Sequence, residues 1–223
     1  QEPNKIAAVS VACDYAEAEK GHEFLSELRS LTEKHNSLLI FDEIVTGFRL
    51  AMGGAQDYFK VTPDMAVFAK GISNGFALSC YVGRTDIMEM VKHSVISSTF
   101  GGDTIGLAAC DAVLKVYKEQ NVIDQLWKIG EQLQIGFAEI CTNLDIPAGL
   151  VGLPPMGSLQ FFHPDKSRND KLFLRFNAET LQRGVIIYHV CYPNFSHDQQ
   201  DIQQVLEAME SSLIVMQKEG LFD

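Results

Sequence analysis

The chain has 223 residues, 46% of them apolar and 21% charged, with a formal net charge of −11. That length allows a sizeable core and one or two domains. The acidic balance lacks the basic footprint that a nucleic-acid partner requires, and no apolar run reaches bilayer-spanning length. The five cysteines, Cys13, Cys80, Cys110, Cys141 and Cys191, are scattered without a C-x-x-C pair. This usage argues against a disulfide framework or a zinc cluster and for a reducing compartment, so a cytoplasmic location is expected. No export signal is visible, and the chain opens on Gln1-Glu2-Pro3-Asn4 without Met, so the natural start is expected upstream.

The apolar run from Lys5 to Ala12 reads as a buried strand. From about Gly21 to His35 the spacing is helical, with Phe24, Leu25, Leu28 and Leu31 on one stripe. Leu38 to Ile44 is the next strand, which makes a βαβ unit and a parallel pair. Thr62-Pro63-Asp64 is a turn ahead of a strand at Met65–Phe68, and Leu78–Gly83 is a further strand. Asp86 to Val91 is a short helix, Ser97–Gly102 a loop, and Thr104 to Glu119 a helix. A long amphipathic helix follows from about Ile123 to Thr142, with Leu126, Ile129, Leu133, Phe137 and Ile140 as its apolar face. Beyond it come a glycine- and proline-rich stretch with a strand at Ser158–Phe162, a helix at 171–183, a strand at Val185–Tyr188 and a final helix at 199–217. A domain boundary is expected near residue 122. It gives an α/β unit over 1–122 and a smaller α+β unit over 123–223.

Two residues stand out for chemistry. Asp42 follows the apolar run Leu38-Leu39-Ile40-Phe41, and Lys70 follows Met65–Ala69 and precedes Gly71. In open α/β sheets, ligands bind outside the carboxyl ends of the strands. A carboxylate and a lysine brought together there suit pyridoxal 5′-phosphate (PLP), which needs a Schiff-base lysine and an acidic partner for its ring nitrogen. Partial burial of Lys70 among Val67, Phe68 and Ala69 would suit it as a nucleophile. Gly71 and Gly75 would allow close backbone approach or positive φ. Ile44 would lie beside the ring. Each residue also has a plainer reading: Asp42 as a turn cap at a strand end, Lys70 as half of a structural ion pair. Thr99 precedes a helix and could join an anion site, while Asp103 or Thr104 could cap that helix. Ser196 or Asp198 would cap the last helix, beside His197. Arg49 could meet a substrate carboxylate or form a surface ion pair. His93, His163 and His189 show no ligand spacing, so no metal is assigned.

Taken together, Leu39-Ile40-Phe41-Asp42-Glu43-Ile44-Val45-Thr46-Gly47-Phe48-Arg49, Gly53-Gly54-Ala55-Gln56, Val61-Thr62-Pro63-Asp64, Ala69-Lys70-Gly71 and Ser98-Thr99-Phe100-Gly101-Gly102 resemble the class III PLP-dependent aminotransferases. Glutamate-1-semialdehyde 2,1-aminomutases are among the relatives this text is similar to. The likeness is dense over about 38–115 and thinner after it. It implies a PLP-dependent transferase of fold type I. Residues 1–122 would be the C-terminal part of the large cofactor-binding domain, with a mixed, mainly parallel sheet, and 123–223 the small α+β domain. It also implies a homodimer with shared active sites. Lys70 would be the Schiff-base lysine, Asp42 the ring-nitrogen partner and Ile44 the residue packed on the ring. Thr99 would reach the phosphate of the neighbouring subunit's cofactor.

Three departures bear on this expectation. Family members are longer, and their upstream half carries a small-residue phosphate loop and an aromatic residue that stacks on the ring. The acidic-Pro pair after the first strand is replaced by Cys13-Asp14-Tyr15. The stretch Tyr188–Phe195 carries no acid where aminomutases have a glutamate. The expected function is amino transfer to a keto or aldehyde acceptor from a small-molecule amino donor. Alternatives are an aminomutase reaction, racemisation at an amino carbon, or a truncated or split chain without activity of its own.

Overall fold

The computed structural model describes residues 5–12, 20–94, 99–163 and 165–222. The Cys13-Asp14-Tyr15 substitution and the start of the loop before Thr99 lie outside them. The described residues fall into two compact units, one running to Ile123 and one starting at Asp124.

The first unit is built on a four-stranded sheet of β1 (Ala8–Ala12), β2 (Leu38–Asp42), β3 (Met65–Phe68) and β4 (Cys80–Gly83), in that spatial order. β1, β2 and β3 are parallel, and β4 is antiparallel to β3. The sheet is therefore mixed and mainly parallel, as expected. Leu39 and Phe41 are fully buried on one face of β2, and Leu38 and Ile40 are half-buried on the other, so the apolar run is continuous. The parallel pairs need crossovers. Helix α1 (Gly21–Lys34) supplies the first and α2 (Gly54–Phe59) lies in the second.

Helix α1 buries a different stripe from the one its hydropathy suggests. Leu25 and Thr32 are buried, whereas Phe24 and Leu31 are 54% and 53% exposed. The same side carries two polar residues whose side chains find partners there. Thr32 Oγ1 donates back to the carbonyls of Leu28 and Arg29 at 3.0 and 2.9 Å. Arg29 reaches Asp64 at 2.9 Å. Asp64, buried just ahead of β3, also accepts from the Leu39 N–H at 2.8 Å and from Arg84 at 2.7 Å. One carboxylate thus links α1, β2 and the end of β4.

After β4 come α3 (Thr85–Met88), a 3₁₀ turn at Glu89–His93, and α4 (Thr104–Glu119). The cap of α4 is Asp103, which accepts from the N–H groups of Ile105 and Gly106 at 3.3 and 3.2 Å.

The division falls at the start of α5 (Val122–Leu144). The second unit holds most of α5, an antiparallel pair of β5 (Ala148–Val151) and β6 (Ser158–Phe161), α6 (Asp170–Gln182) and α7 (Gln199–Lys218). Its core packs Phe137, Leu159, Phe161, Phe176, Met209, Leu213 and Met216 together. Gly130 on α5 is required by close approach, because a Cβ there would lie 2.0 Å from the Pro154 carbonyl oxygen. Asp198 caps α7 in a reciprocal box with Asp201, so Ser196 does not.

The strand expected at Val185–Tyr188 does not form. Its residues alternate between buried and exposed, with Val185 and Ile187 at 8% and 4% and Ile186 and Tyr188 at 82% and 70%. The chain meets β6 only after this segment. The Leu159 N–H donates to His189, and Cys191 donates to Gly157, both at 2.8 Å.

Candidate functional site

β2 and β3 run parallel with Asp42 opposite Val67. Their carboxyl ends therefore share one edge, and Lys70 opens the turn that leaves β3 there. Asp42 is half-buried, and its Oδ1 accepts from the Ile44 N–H at 3.0 Å. That is the strand-end turn role, and it occupies one carboxylate oxygen. Ile44 is half-buried beside it.

Lys70 begins a 3₁₀ turn, Lys70–Ile72, with φ +47°. Its carbonyl accepts from the N–H groups of Ser73 and Asn74 at 3.3 and 2.9 Å. The expected partial burial is not met: Lys70 is exposed, and Val67, Phe68 and Ala69 are only half-buried themselves. The positive φ is also on the lysine, not on Gly71. At Gly71 a Cβ would stand 3.6 Å from the Gly47 carbonyl oxygen, in ordinary contact, while Gly75 does take φ +104°. A left-handed lysine is strained by about 1–3 kcal/mol and persists where its surroundings dictate it.

Next in the chain to Asp42 begins a set of residues that sequence reasoning passed over. Glu43, next to Asp42, is 1% exposed. Its carboxylate accepts from the Thr46 hydroxyl and from the backbone N–H groups of Ala55 and Gln56 at 2.8 and 3.0 Å. Gly54, at φ +75°, leaves room for it, since a Cβ there would lie 2.4 Å from Oε2. The Asp42-Glu43 pair is thus split between an accessible acid and a buried acid that pins α2. The only sequence signals were Thr46 three residues on and the Gly53-Gly54 pair. Phe48, at φ +61°, packs between Phe68 and Tyr117, each ring centroid 5.8 Å away. The Tyr117 hydroxyl donates to the Phe48 carbonyl at 2.6 Å. Burial pushes the Tyr117 phenol up, with the Arg49 charge acting the other way.

Thr99 is exposed, and with Asp103 as the cap its hydroxyl is not used for capping α4. Arg49 is half-buried. His189 stacks on Phe173 with centroids 3.7 Å apart, and His197 bonds to Asn194. Among the described residues no group of three or more His, Cys, Asp or Glu side chains could hold a metal. Cys80, Cys110, Cys141 and Cys191 are free thiols, and burial pushes Cys141 and Cys191 up to about 12. No described helix is long and apolar enough to cross a membrane.

Comparison with known proteins places this arrangement. The chain is 31% identical to a glutamate-1-semialdehyde 2,1-aminomutase from Archaeoglobus fulgidus, over 86% of this chain and 49% of the relative. It is 29% identical to a 3-aminobutyryl-CoA aminotransferase from Cloacimonas acidaminovorans, over 87% and 48%. The FumI protein of Sphingopyxis sp. MTA144, solved in its PLP internal aldimine form, superposes with a TM-score of 0.88 at 20% identity, over 97% of this chain and 53% of that one. The chain spans about half the length of the relatives it matches. The family model for class-III aminotransferases matches residues 5–213, and the chain belongs to that family.

Proposed function

We propose that this chain carries the lysine-bearing half of a PLP-dependent aminotransferase site, moving an amino group from a small-molecule donor to a keto or aldehyde acceptor. The observation that supports it is the placement of Asp42 at the carboxyl end of one strand and Lys70 just past the carboxyl end of the parallel strand beside it. The donor set fits the cofactor. Lys70 offers an exposed primary amine, Asp42 has an oxygen left over from its bond to Ile44, and Thr99 offers an exposed hydroxyl. Lys70 would hold the cofactor's carbonyl carbon, Asp42 would face its ring nitrogen, Ile44 would lie against the ring and Thr99 would meet a phosphate. When bound, PLP supplies an electron sink for charge developing at the amino-bearing carbon. Freed when the donor's amine takes its place on the cofactor's carbonyl carbon, Lys70 Nζ would take a proton from the amino-bearing carbon and return one to the other side of that carbon–nitrogen bond.

In this reading residues 1–122 form the C-terminal part of the large domain and 123–223 the small one. The protein works as a homodimer, with Thr99 serving the neighbouring subunit's site. Cysteine usage supports a cytoplasmic location. The relatives named as aminomutases support a second reading, in which the amino group moves within one molecule. The acid-free stretch Tyr188–Phe195 favours transfer over it.

The test is the half-reaction. The protein is incubated with PLP and a panel of amino donors, and pyridoxamine 5′-phosphate and the keto product are quantified by mass spectrometry. Equal amounts of the two, lost in Lys70→Ala, are expected. Conversion of a donor to its positional isomer with no keto product would favour the aminomutase. Neither product from any donor counts against an active half.

A further inference from the structure

We infer that Tyr117 is a positioning residue for Lys70, acting through Phe48; this rests on the reading of Lys70 given above. The two residues stand on different elements, Tyr117 on α4 and Lys70 in the turn after β3. Three contacts join them. The Tyr117 hydroxyl donates to the Phe48 carbonyl at 2.6 Å. The Phe48 ring is flanked by Tyr117 on one side and Phe68 on the other, and Phe68 is the last residue of the strand that delivers Lys70. Gly71, bonded directly to Lys70, rests on the same loop, where a Cβ would stand 3.6 Å from the Gly47 oxygen and 3.8 Å from Phe48 Cβ.

Phe48 and Lys70 both occupy the left-handed region, at φ +61° and +47°. Residues with a side chain avoid that region, so neither turn is held by local preference. Each needs an outside constraint. For Phe48 the constraint is the Tyr117 hydrogen bond together with its two ring neighbours. For the Lys70–Gly71 turn it is the Phe48 loop. Gly47 lets the loop lie close to β3, since a Cβ there would meet Phe68 Cδ1 at 2.5 Å and the Glu43 backbone carbonyl oxygen at 2.7 Å. A single phenol oxygen thereby anchors Phe48, whose Cβ, with the carbonyl of neighbouring Gly47, faces the lysine's turn. Loss of that oxygen leaves the rings packed and lets Phe48 shift, and small misplacements of a reacting group are costly in rate.

The test substitutes Tyr117→Phe, which keeps the ring and removes the hydrogen bond. Protein is labelled briefly with PLP and reduced with borohydride. Labelling is scored by peptide mass spectrometry as the ratio of Lys70 to Lys60, an exposed lysine elsewhere in the same unit. In the parent, Lys70 is labelled in preference to Lys60. In Tyr117→Phe the ratio falls about tenfold, with the thermal midpoint close to the parent's. A parent that prefers Lys70 and an unchanged ratio in Tyr117→Phe overturn the inference and leave the cofactor reading standing. A parent with no preference for Lys70 overturns both. If Tyr117→Phe does not fold, Phe48→Leu is scored the same way. It keeps the carbonyl acceptor and removes the ring, and an unchanged ratio there equally overturns the inference.

Discussion

Replacing Glu43 by Gln changes one atom in a buried carboxylate and separates its structural work from that of Asp42 beside it. The carboxylate has three donors: the Thr46 hydroxyl and Ala55 N–H on Oε2, and Gln56 N–H on Oε1. An amide has only one acceptor oxygen. The Thr46 hydroxyl can turn to accept, but a backbone N–H cannot. One amide orientation therefore strands Ala55 and the other strands Gln56. A buried N–H left unpaired costs about 1–3 kcal/mol, and the surviving bonds lose the charge assistance that roughly doubles their strength. The expected loss is about 2–4 kcal/mol in the local stability of α2. Amide hydrogen exchange reads this directly, and roughly 30- to 700-fold faster exchange is expected at Ala55 and Gln56. Glu27→Gln, at an exposed site on α1, is the control and leaves exchange unchanged. If Glu43→Gln exchanges like the parent across α2, the claim that this carboxylate holds the segment behind the site is wrong.

Three other outcomes follow from the same geometry. Burial works against the charge of Asp64, but the Leu39 N–H and the Arg84 and Arg29 guanidinium groups outweigh it and hold the carboxyl below its ordinary 3.8. Its folded value is depressed, so its contribution is fully present above the unfolded value and is lost as pH falls through and below it. Asp64→Asn should cost roughly 3 kcal/mol near neutrality, and denaturation curves of variant and parent should converge in acid; a gap independent of pH would refute this. Lys70→Gly should be more stable than Lys70→Ala by about 1 kcal/mol or more, because glycine accepts φ +47° without strain; equal midpoints would show that the turn is unstrained. Thiol alkylation near pH 8 should spare Cys141 and Cys191, whose thiols burial pushes up to about 12. Both should react on denaturation, and rapid labelling of either in the folded protein would contradict the raised thiol values.

Much of the first unit was readable from the chain because its central strands are buried on one face and half-buried on the other. Leu38–Phe41 and Met65–Phe68 carry their burial as unbroken apolar runs, and the ends of those runs locate the sheet edge. The stripe of α1 was misread because Thr32 and Arg29 lie on the buried side, where backbone carbonyls and Asp64 satisfy them. Hydropathy alone treats both as solvent-facing. The alternation in Val185–Tyr188 reported half-burial faithfully and pairing wrongly, since burial and ladder hydrogen bonds are separate demands. The exposure of Lys70 and its left-handed backbone were not legible. Burial is a sum over neighbours distant in sequence, and nothing local asks a lysine for positive φ. Glu43 stayed hidden because its backbone partners lie 12 and 13 residues away.

The claim on which the functional reading turns is that Lys70, at the same sheet edge as Asp42, holds PLP. The direct measurement is a visible absorbance titration of the purified protein with PLP, run alongside Lys70→Ala. A saturable visible band in the parent, absent in Lys70→Ala, is the expected result. A band of equal intensity in both proteins, or none in either, would contradict the assignment of Lys70.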